Sequence, residues 1–456
     1  MRSPDGAASD GSPPSGALAG APAAATATKP LLVAIDMGYG HLRPAVALSA
    51  QLGVPVREMD RAPVGDAQDE AYWRRARKFY EPLTRWSQLP WVGGPAQALL
   101  DNVTQIPPLH PERDLSAPTV GTAALVRAAR QGLGSALARQ LEESDAPLLA
   151  TFYAPAILAE LHGRTRVACV VTDSDVNRVW VPEASAQSKI VYFAPAAHTA
   201  RRLLAYGVKP QNVKVTGFPL PHELLGGPDL PVLRQNLAAR LARLDPRGAW
   251  LEKNRGEVER SLGPLPQEQA GRPPRLTFAV GGAGAQVGLV EAFLPSLRPL
   301  LAAGRLRLTL VAGRRPEVAA RLRGFLSAAG LREGERGAGD GSVEVLTAPD
   351  VWSYFPAFNA LLAETDILWS KPSELTFFAA LGLPLLVAPP VGVHEACNQR
   401  WAQEWGAALP QQDPAHAGAW LSHWLEDGVL AACAWAGYRH LPNRGLYEIA
   451  AEVGKL

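Results

Sequence analysis

The sequence predicts an α/β protein of two doubly wound parallel-sheet domains facing a cleft. Short apolar runs alternate with helical stretches over most of the chain, which is the pattern of strand–helix–strand units. With 456 residues the chain exceeds what one core usually serves, so two domains of about 200 residues each are expected, and 47% hydrophobic residues suffice to fill both. Glycine- or proline-bearing turns follow several of the apolar runs, placing loops where ligands bind in such sheets, at the carboxyl ends of strands.

Residues 1–29 are Ala, Gly, Pro, Ser and Thr with almost no large apolar group, so they are read as a disordered tail. The start lacks a compact cationic region followed by a Leu-rich run, and it is not read as a signal peptide. Strands are expected near 31–35, 54–58, 147–151, 166–172, 189–193 and 213–216, making a first domain over 30–225. Segment 226–274 is rich in Pro, Arg and Glu with an amphipathic piece around Leu233–Leu244, and is read as a linker with a helical insertion. Further strands near 275–280, 306–311, 342–346, 366–370 and 384–388 make a second domain over 275–442.

Four turns carry chemistry. The first strand runs into Asp36-Met-Gly38-Tyr-Gly40-His41-Leu-Arg-Pro44, a glycine turn that opens a helix. A mid-domain strand ends in Val170-Val171-Thr172-Asp173, where a carboxylate is placed to orient a base or an acceptor hydroxyl, or simply to cap a loop. In the second half, Arg275–Val280 leads directly into Gly281-Gly282-Ala-Gly284-Ala-Gln286, where glycines let backbone N–H groups approach a pyrophosphate closely. The fourth turn follows Ile367-Leu-Trp369: Lys371 supplies a point charge, Pro372 suits the first turn of a helix, Ser373 can cap or donate to phosphate, and Glu374 can accept from a ribose diol. A helix N-terminus there would face an anion. An ordinary strand-to-helix turn with a solvated Lys and Glu has the same composition. Two anion-ready turns in one predicted sheet favour the functional reading.

Val213-Lys-Val-Thr216-Gly217-Phe-Pro219 closes the first half, and His394-Glu395-Ala-Cys-Asn398 follows the Pro389-Pro390 loop of the second. Taken with the turns above, these motifs resemble, in order, those of the GT-B glycosyltransferases, in particular the diacylglycerol galactosyltransferase and lipid-precursor N-acetylglucosaminyltransferase group. The resemblance spans about Leu31 to Asn398 and implies two Rossmann-like domains, with a C-terminal segment, 443–456, that returns to the first. It implies a nucleotide-sugar donor held by Gly281, Gly282, Gly284, Lys371, Ser373, Glu374, His394, Glu395 and Asn398, with His41 as base or phosphate partner in a loop formed by Gly38 and Gly40. Asp173 belongs to the acceptor side. The sequence departs from the family at Phe377-Phe-Ala-Ala-Leu381, where a Glu-Ala pair is usual, and at Asn177-Arg178, where a His would be expected. Glu374 then stands as the replacement for the missing helix carboxylate.

The implied function is transfer of a sugar from a nucleotide donor to an unidentified acceptor, with a lipid or cell-envelope precursor in view. A nucleotide-sugar 2-epimerase and a non-catalytic nucleotide-sugar binder are the alternatives. No cofactor beyond the co-substrate and no metal are expected, since Cys169, Cys397 and Cys433 have neither disulfide nor metal-ligand spacing. Lys plus Arg is 45 against 43 acidic residues, which offers no reason to propose a nucleic-acid partner. No window approaches the roughly 18 uninterrupted apolar residues of a membrane span. A cytoplasmic protein is expected. The basic aromatic stretch Tyr72-Trp73-Arg74-Arg75-Ala-Arg77-Lys78-Phe79-Tyr80, with Arg85, Trp86 and Trp91, reads as a helix packing its aromatic face, or as a peripheral contact with the inner face of a membrane.

Overall fold

A computed structural model describes residues 28–86, 105–265, 271–280, 286–334 and 342–456, with 77–86 as backbone. Two six-stranded sheets, parallel throughout, organise the chain. The first contains β1 (Leu31–Ala34), β2 (Val56–Glu58), β3 (Leu148–Ala150), β4 (Val167–Val170), β5 (Val191–Ala194) and β6 (Val213–Val215), in the order β2-β1-β3-β4-β5-β6. The second contains β7 (Arg275–Ala279), β8 (Arg307–Gly313), β9 (Val343–Thr347), β10 (Ile367–Ser370), β11 (Leu385–Val387) and β12 (Ala408–Pro410), in the order β12-β11-β10-β7-β8-β9. The order reverses between β1 and β3 in one sheet and between β7 and β10 in the other, and such switch points open the crevices in which doubly wound sheets bind ligands. The predicted fold class is the one observed.

Every strand read from the sequence is present, and β12 is an addition. It has three residues, sits at the sheet edge and ends in Pro410, whose missing N–H an edge position tolerates. Side chains alternate across the sheets as strand geometry requires. Along β1, Leu32 and Ala34 enter one core while Val33 and Ile35 enter the other.

The segment read as linker and insertion holds two helices, Pro231–Leu244 and Leu251–Leu262, that belong to the core of the second lobe. Leu233, Leu237, Leu241 and Leu244 are all buried there. Arg240 reaches through this packing to donate to the carbonyls of Thr365, Leu381 and Gly382, and burial pushes its pKa down to about 10. Asp366, fully buried at the start of β10, accepts from Arg243 (2.8 Å), Arg272 (2.7 Å) and the Arg275 backbone N–H (2.8 Å). One carboxylate thus ties the connecting segment to the central strands.

The last helix, Gly445–Val453, packs on helix Tyr39–Leu52 of the first lobe. A Cβ on Gly445 would lie 2.4 Å from the Phe218 carbonyl oxygen, so only glycine permits this approach. The Leu456 carbonyl accepts from Arg166 (2.9 Å).

Helix Ala67–Trp86 carries the start of the basic aromatic segment. Trp73 is buried against Phe152 and Tyr72, while Arg74 pairs with Glu70 at 2.9 Å on the exposed face. The side chains of Arg77, Lys78, Phe79, Tyr80, Arg85, Trp86 and Trp91 lie outside the described residues, as does most of the 1–29 tail. No helix among the described residues is long and apolar enough to cross a membrane.

Candidate functional site between the two sheets

On the first lobe, the turn after β1 leads through Gly38 into helix Tyr39–Leu52. Gly38 has φ +124°, a conformation L-residues rarely adopt, and the glycine is required there. His41, in the first helical turn, is held from both neighbouring strand ends: Thr151, after β3, donates to its carbonyl oxygen (2.7 Å), and Thr172, after β4, lies 3.0 Å from its Nδ1. Phe152 packs on the imidazole at 4.6 Å between ring centres, with Trp180 at 6.2 Å. Burial lowers the His41 pKa below 6.5; the charge of Asp173, a hydrogen bond with the Thr151 backbone and the charge of Glu374 oppose this, and His394 adds to it. His41 is therefore neutral at pH 7, the state a proton acceptor needs.

Asp173 lies beside this histidine, half-buried, and its Oδ1 accepts from Asn398 of the second lobe (3.2 Å). Next to it, Asp175 is a structural anchor, gripped by Arg202 (2.7 and 2.9 Å) and His198 (2.9 Å). Arg178, at a position where a His was expected, is buried and donates to the carbonyls of Ser116, Val181 and Glu183. It supports the loop behind the lip.

On the second lobe, the turn after β10 differs from expectation. The element after Pro372 is an eight-residue 3₁₀ helix, Glu374–Leu381, in place of an α-helix. Hydrogen bonds from Thr376 N–H to Ser373 and from Gly382 N–H to Ala379 close its turns over three residues. All eight residues are buried, which suits an element apolar on every side. Phe377 stacks on Phe218 at 4.8 Å and leans on Trp401. Gly382, with φ +66°, ends the element where a Cβ would strike Leu237 at 2.5 Å.

Three residues expected at the donor site make contacts within the protein. Glu374 packs beside Gly40 and pairs with Arg43 at 3.5 Å across the lobe boundary. Arg43 is 2% exposed, its guanidinium lying over Phe355 (4.6 Å) and Phe358 (4.7 Å), and a buried cation of this kind demands a carboxylate. Asn398 is 1% exposed and fully engaged: its Oδ1 accepts from the Ser174 N–H and hydroxyl, and its Nδ2 donates to Asp173 and the Pro372 carbonyl. It bridges the lobes. Ser373 caps no helix, and its own N–H donates to the Lys371 carbonyl (2.8 Å).

Lys371 and Glu395 form a partly buried ion pair at 2.5 Å, and the second Glu395 oxygen accepts from the Val391 N–H (2.9 Å). His394 is half-buried, its Nδ1 is enclosed without a hydrogen-bond partner, and its charge acts on His41. Gly281, Gly282 and Gly284 lie outside the described residues. Gln286, the first described residue after them, has φ +73° and donates to the Pro389 carbonyl (2.8 Å). Two further contacts join the lips: Arg314 after β8 lies over the Tyr39 ring and faces Asp36 at 3.7 Å.

His41, Asp173, Lys371, Glu374, His394, Glu395 and Asn398 thus meet at facing switch points although the chain separates them widely. Thr151, Thr172 and Arg43 were given no role in the sequence reading, because a Thr at a strand end and an Arg in a helix look ordinary until their partners are known. A cavity of about 560 Å³ lined by Arg275, Arg307, Glu333 and Glu344 lies at the opposite, amino-terminal end of β7 and β8, and one of about 230 Å³ lies beside Arg178 and Tyr206. Neither is lined by His41, Asp173, Lys371 or Glu395.

Residues 265–452 match a family described as a domain of unknown function (DUF6938). No protein of curated function matches the sequence. Among solved structures, MurG of Acinetobacter baumannii aligns over 93% of this chain and 98% of its own, at 15% identity and a TM-score of 0.49. The calicheamicin glycosyltransferase CalG4 aligns over 93% and 97%, at 14% identity and a TM-score of 0.46. A UDP-GlcNAc 2-epimerase from Neisseria meningitidis, bound to UDP-GlcNAc, aligns over 69% and 78%, at 16% identity and a TM-score of 0.40.

Proposed function

We propose that this protein is a nucleotide-sugar-dependent glycosyltransferase of GT-B architecture. The observation that carries the reading is the meeting of His41 and Asp173 from one switch point with Lys371, His394 and Glu395 from the other. In the proposed reaction, Nε2 of neutral His41 takes the proton of the acceptor hydroxyl as its oxygen forms a bond to the anomeric carbon. The bond from that carbon to the donor's diphosphate oxygen breaks, and the diphosphate leaves with the electron pair. Lys371 and the amides of the Gly281–Gly284 turn stabilise the leaving group, fixed dipoles aimed at developing charge being among the largest catalytic effects. The acceptor is proposed to be a lipid or cell-envelope precursor met at the cytoplasmic face of a membrane.

A second reading, a non-catalytic nucleotide-sugar binder, is favoured by one observation: Lys371, Glu374 and Asn398 are all engaged by the protein itself. Incubation with a panel of nucleotide sugars and candidate acceptors separates the possibilities. Free nucleotide and a glycosylated acceptor support transfer, an isomerised sugar identifies an epimerase, and binding without either identifies a sensor.

The Lys371–Glu395 pair yields a further expected result. An incoming diphosphate must displace Glu395 to reach Lys371, so Lys371→Ala weakens nucleotide binding by about 1.5–3 kcal/mol, the range for hydrogen bonds to charged groups. Glu395→Gln removes the competitor and tightens binding. Calorimetric titration with nucleoside diphosphates checks both signs; unchanged affinity in a folded Lys371→Ala protein removes this lysine from the donor site.

A further inference from the structure

We infer that Thr172 is the positioning residue that sets the tautomer of His41, accepting a hydrogen bond from Nδ1–H so that Nε2 presents its lone pair to the cleft. The inference rests on the reading of His41 as the base and adds to it the group that makes the base competent.

β1, β3 and β4 are consecutive neighbours in the sheet, with Val33 beside Ala150 and Ala150 beside Cys169. That register brings Thr151, one residue past β3, and Thr172, two past β4, to the end of β1, where His41 sits. Thr151 is fully buried and Thr172 is 2% exposed. Thr151 fixes the His41 backbone through its carbonyl (2.7 Å), while Thr172 addresses the ring through Nδ1 (3.0 Å). Thr172 is the side chain hydrogen-bonded to the imidazole among the described residues, and the Thr151 backbone also acts on the ring, favouring its protonated form. Asp173, Glu374 and His394 act on the ring through charge.

A threonine hydroxyl can donate or accept, and the two cases differ chemically. If it donated to Nδ1, the ring hydrogen would sit on Nε2, which then has no lone pair for an acceptor proton. If it accepts from Nδ1–H, Nε2 is the basic nitrogen. The accepting arrangement also survives protonation of the ring, because imidazolium carries Nδ1–H as well. No hydrogen bond has to break as the proton arrives, so the site meets the charged state already organised.

The test is nitrogen NMR on protein labelled in its histidines, nine in all, with the His41 signals assigned by their loss in His41→Gln. The wild type is expected to show neutral His41 with its proton on Nδ1, against the preference of free histidine for Nε2. Thr172→Val keeps the shape and removes the acceptor, and is expected to shift the Nδ1–H to Nε2–H ratio by about 2- to 12-fold, the worth of one hydrogen bond. Thr172→Ser is expected to restore it. Should the valine variant fail to fold, Thr172→Ala serves in its place, and the wild-type spectrum decides on its own. A wild-type proton on Nε2, or a ratio unmoved in a folded valine variant, overturns the inference. Because the readout needs no substrate, a locked Nδ1–H tautomer in a protein that transfers no sugar upholds the role of Thr172 while removing the transferase reading.

Discussion

Replacing His41 by alanine is expected to lower the rate of sugar transfer by about 10²–10⁴-fold, the usual contribution of a positioned general base, while nucleotide affinity stays near the wild-type value. The separation follows from geometry. His41 projects from the first lobe, whereas Lys371 and the glycine turn of the proposed donor site belong to the second. The pH dependence gives an independent check. Burial lowers the His41 pKa below 6.5, so the base form already predominates at neutral pH, and the acid limb of the rate profile should lie below that value. The same shift has a sign in stability: the unfolded chain binds the proton more readily, so this group costs stability as pH falls below 6.5 and none above it. A folded His41→Ala protein with full transfer activity would end its assignment as the base. Loss of folding would instead show that the imidazole's contacts with Thr172 and Phe152 serve structure.

Asp366→Ala is expected to destabilise the protein by about 3–5 kcal/mol, the cost of removing one member of a buried ion-pair cluster. Asp366 is wholly buried and is met at 2.7–2.8 Å by Arg272, Arg243 and the Arg275 N–H. Arg240 lies near enough for the same carboxylate to raise its pKa and for Arg243 and Arg272 to lower it. Without Asp366, these guanidinium groups confront one another with no neutralising charge, and the Arg275 N–H loses its acceptor. Denaturant unfolding followed by tryptophan fluorescence measures the loss. Glu70→Ala, which removes an exposed pair with Arg74, is the control and should change stability by about 0–1 kcal/mol. An equally small effect at Asp366 would show that the cluster rearranges or hydrates at little cost.

The sheets were legible because a buried parallel strand is a local signal. Ile367-Leu-Trp369 and Leu276-Thr-Phe-Ala279 are apolar runs bounded by breakers, and nothing elsewhere in the chain has to be known to read them. β12 was not legible: three residues ending in proline carry little signal, and it exists because β11 offers an edge. The element after Lys371 was read as an α-helix from Pro372 and the expected motif. Burial on every side and the stacking of Phe377 on Phe218 accompany a 3₁₀ path instead.

Within the site, the sequence by itself determined which turns would stand at strand ends, because alternation of strand and helix places His41, Asp173, Lys371 and the glycine run after Val280 there. Tertiary structure alone decided what those residues touch. Arg43 reads as a solvated helical arginine until two elements of the other lobe surround it, and Glu374, read as a ribose partner, pairs with that cation. Asn398 reads as a ligand residue until Ser174 and Asp173 take up its amide. The physical reason is range. Backbone preference and hydrophobic period act over a few neighbours, whereas hydrogen bonds and charge pairs join groups hundreds of residues apart once folding has brought them within about 3 Å.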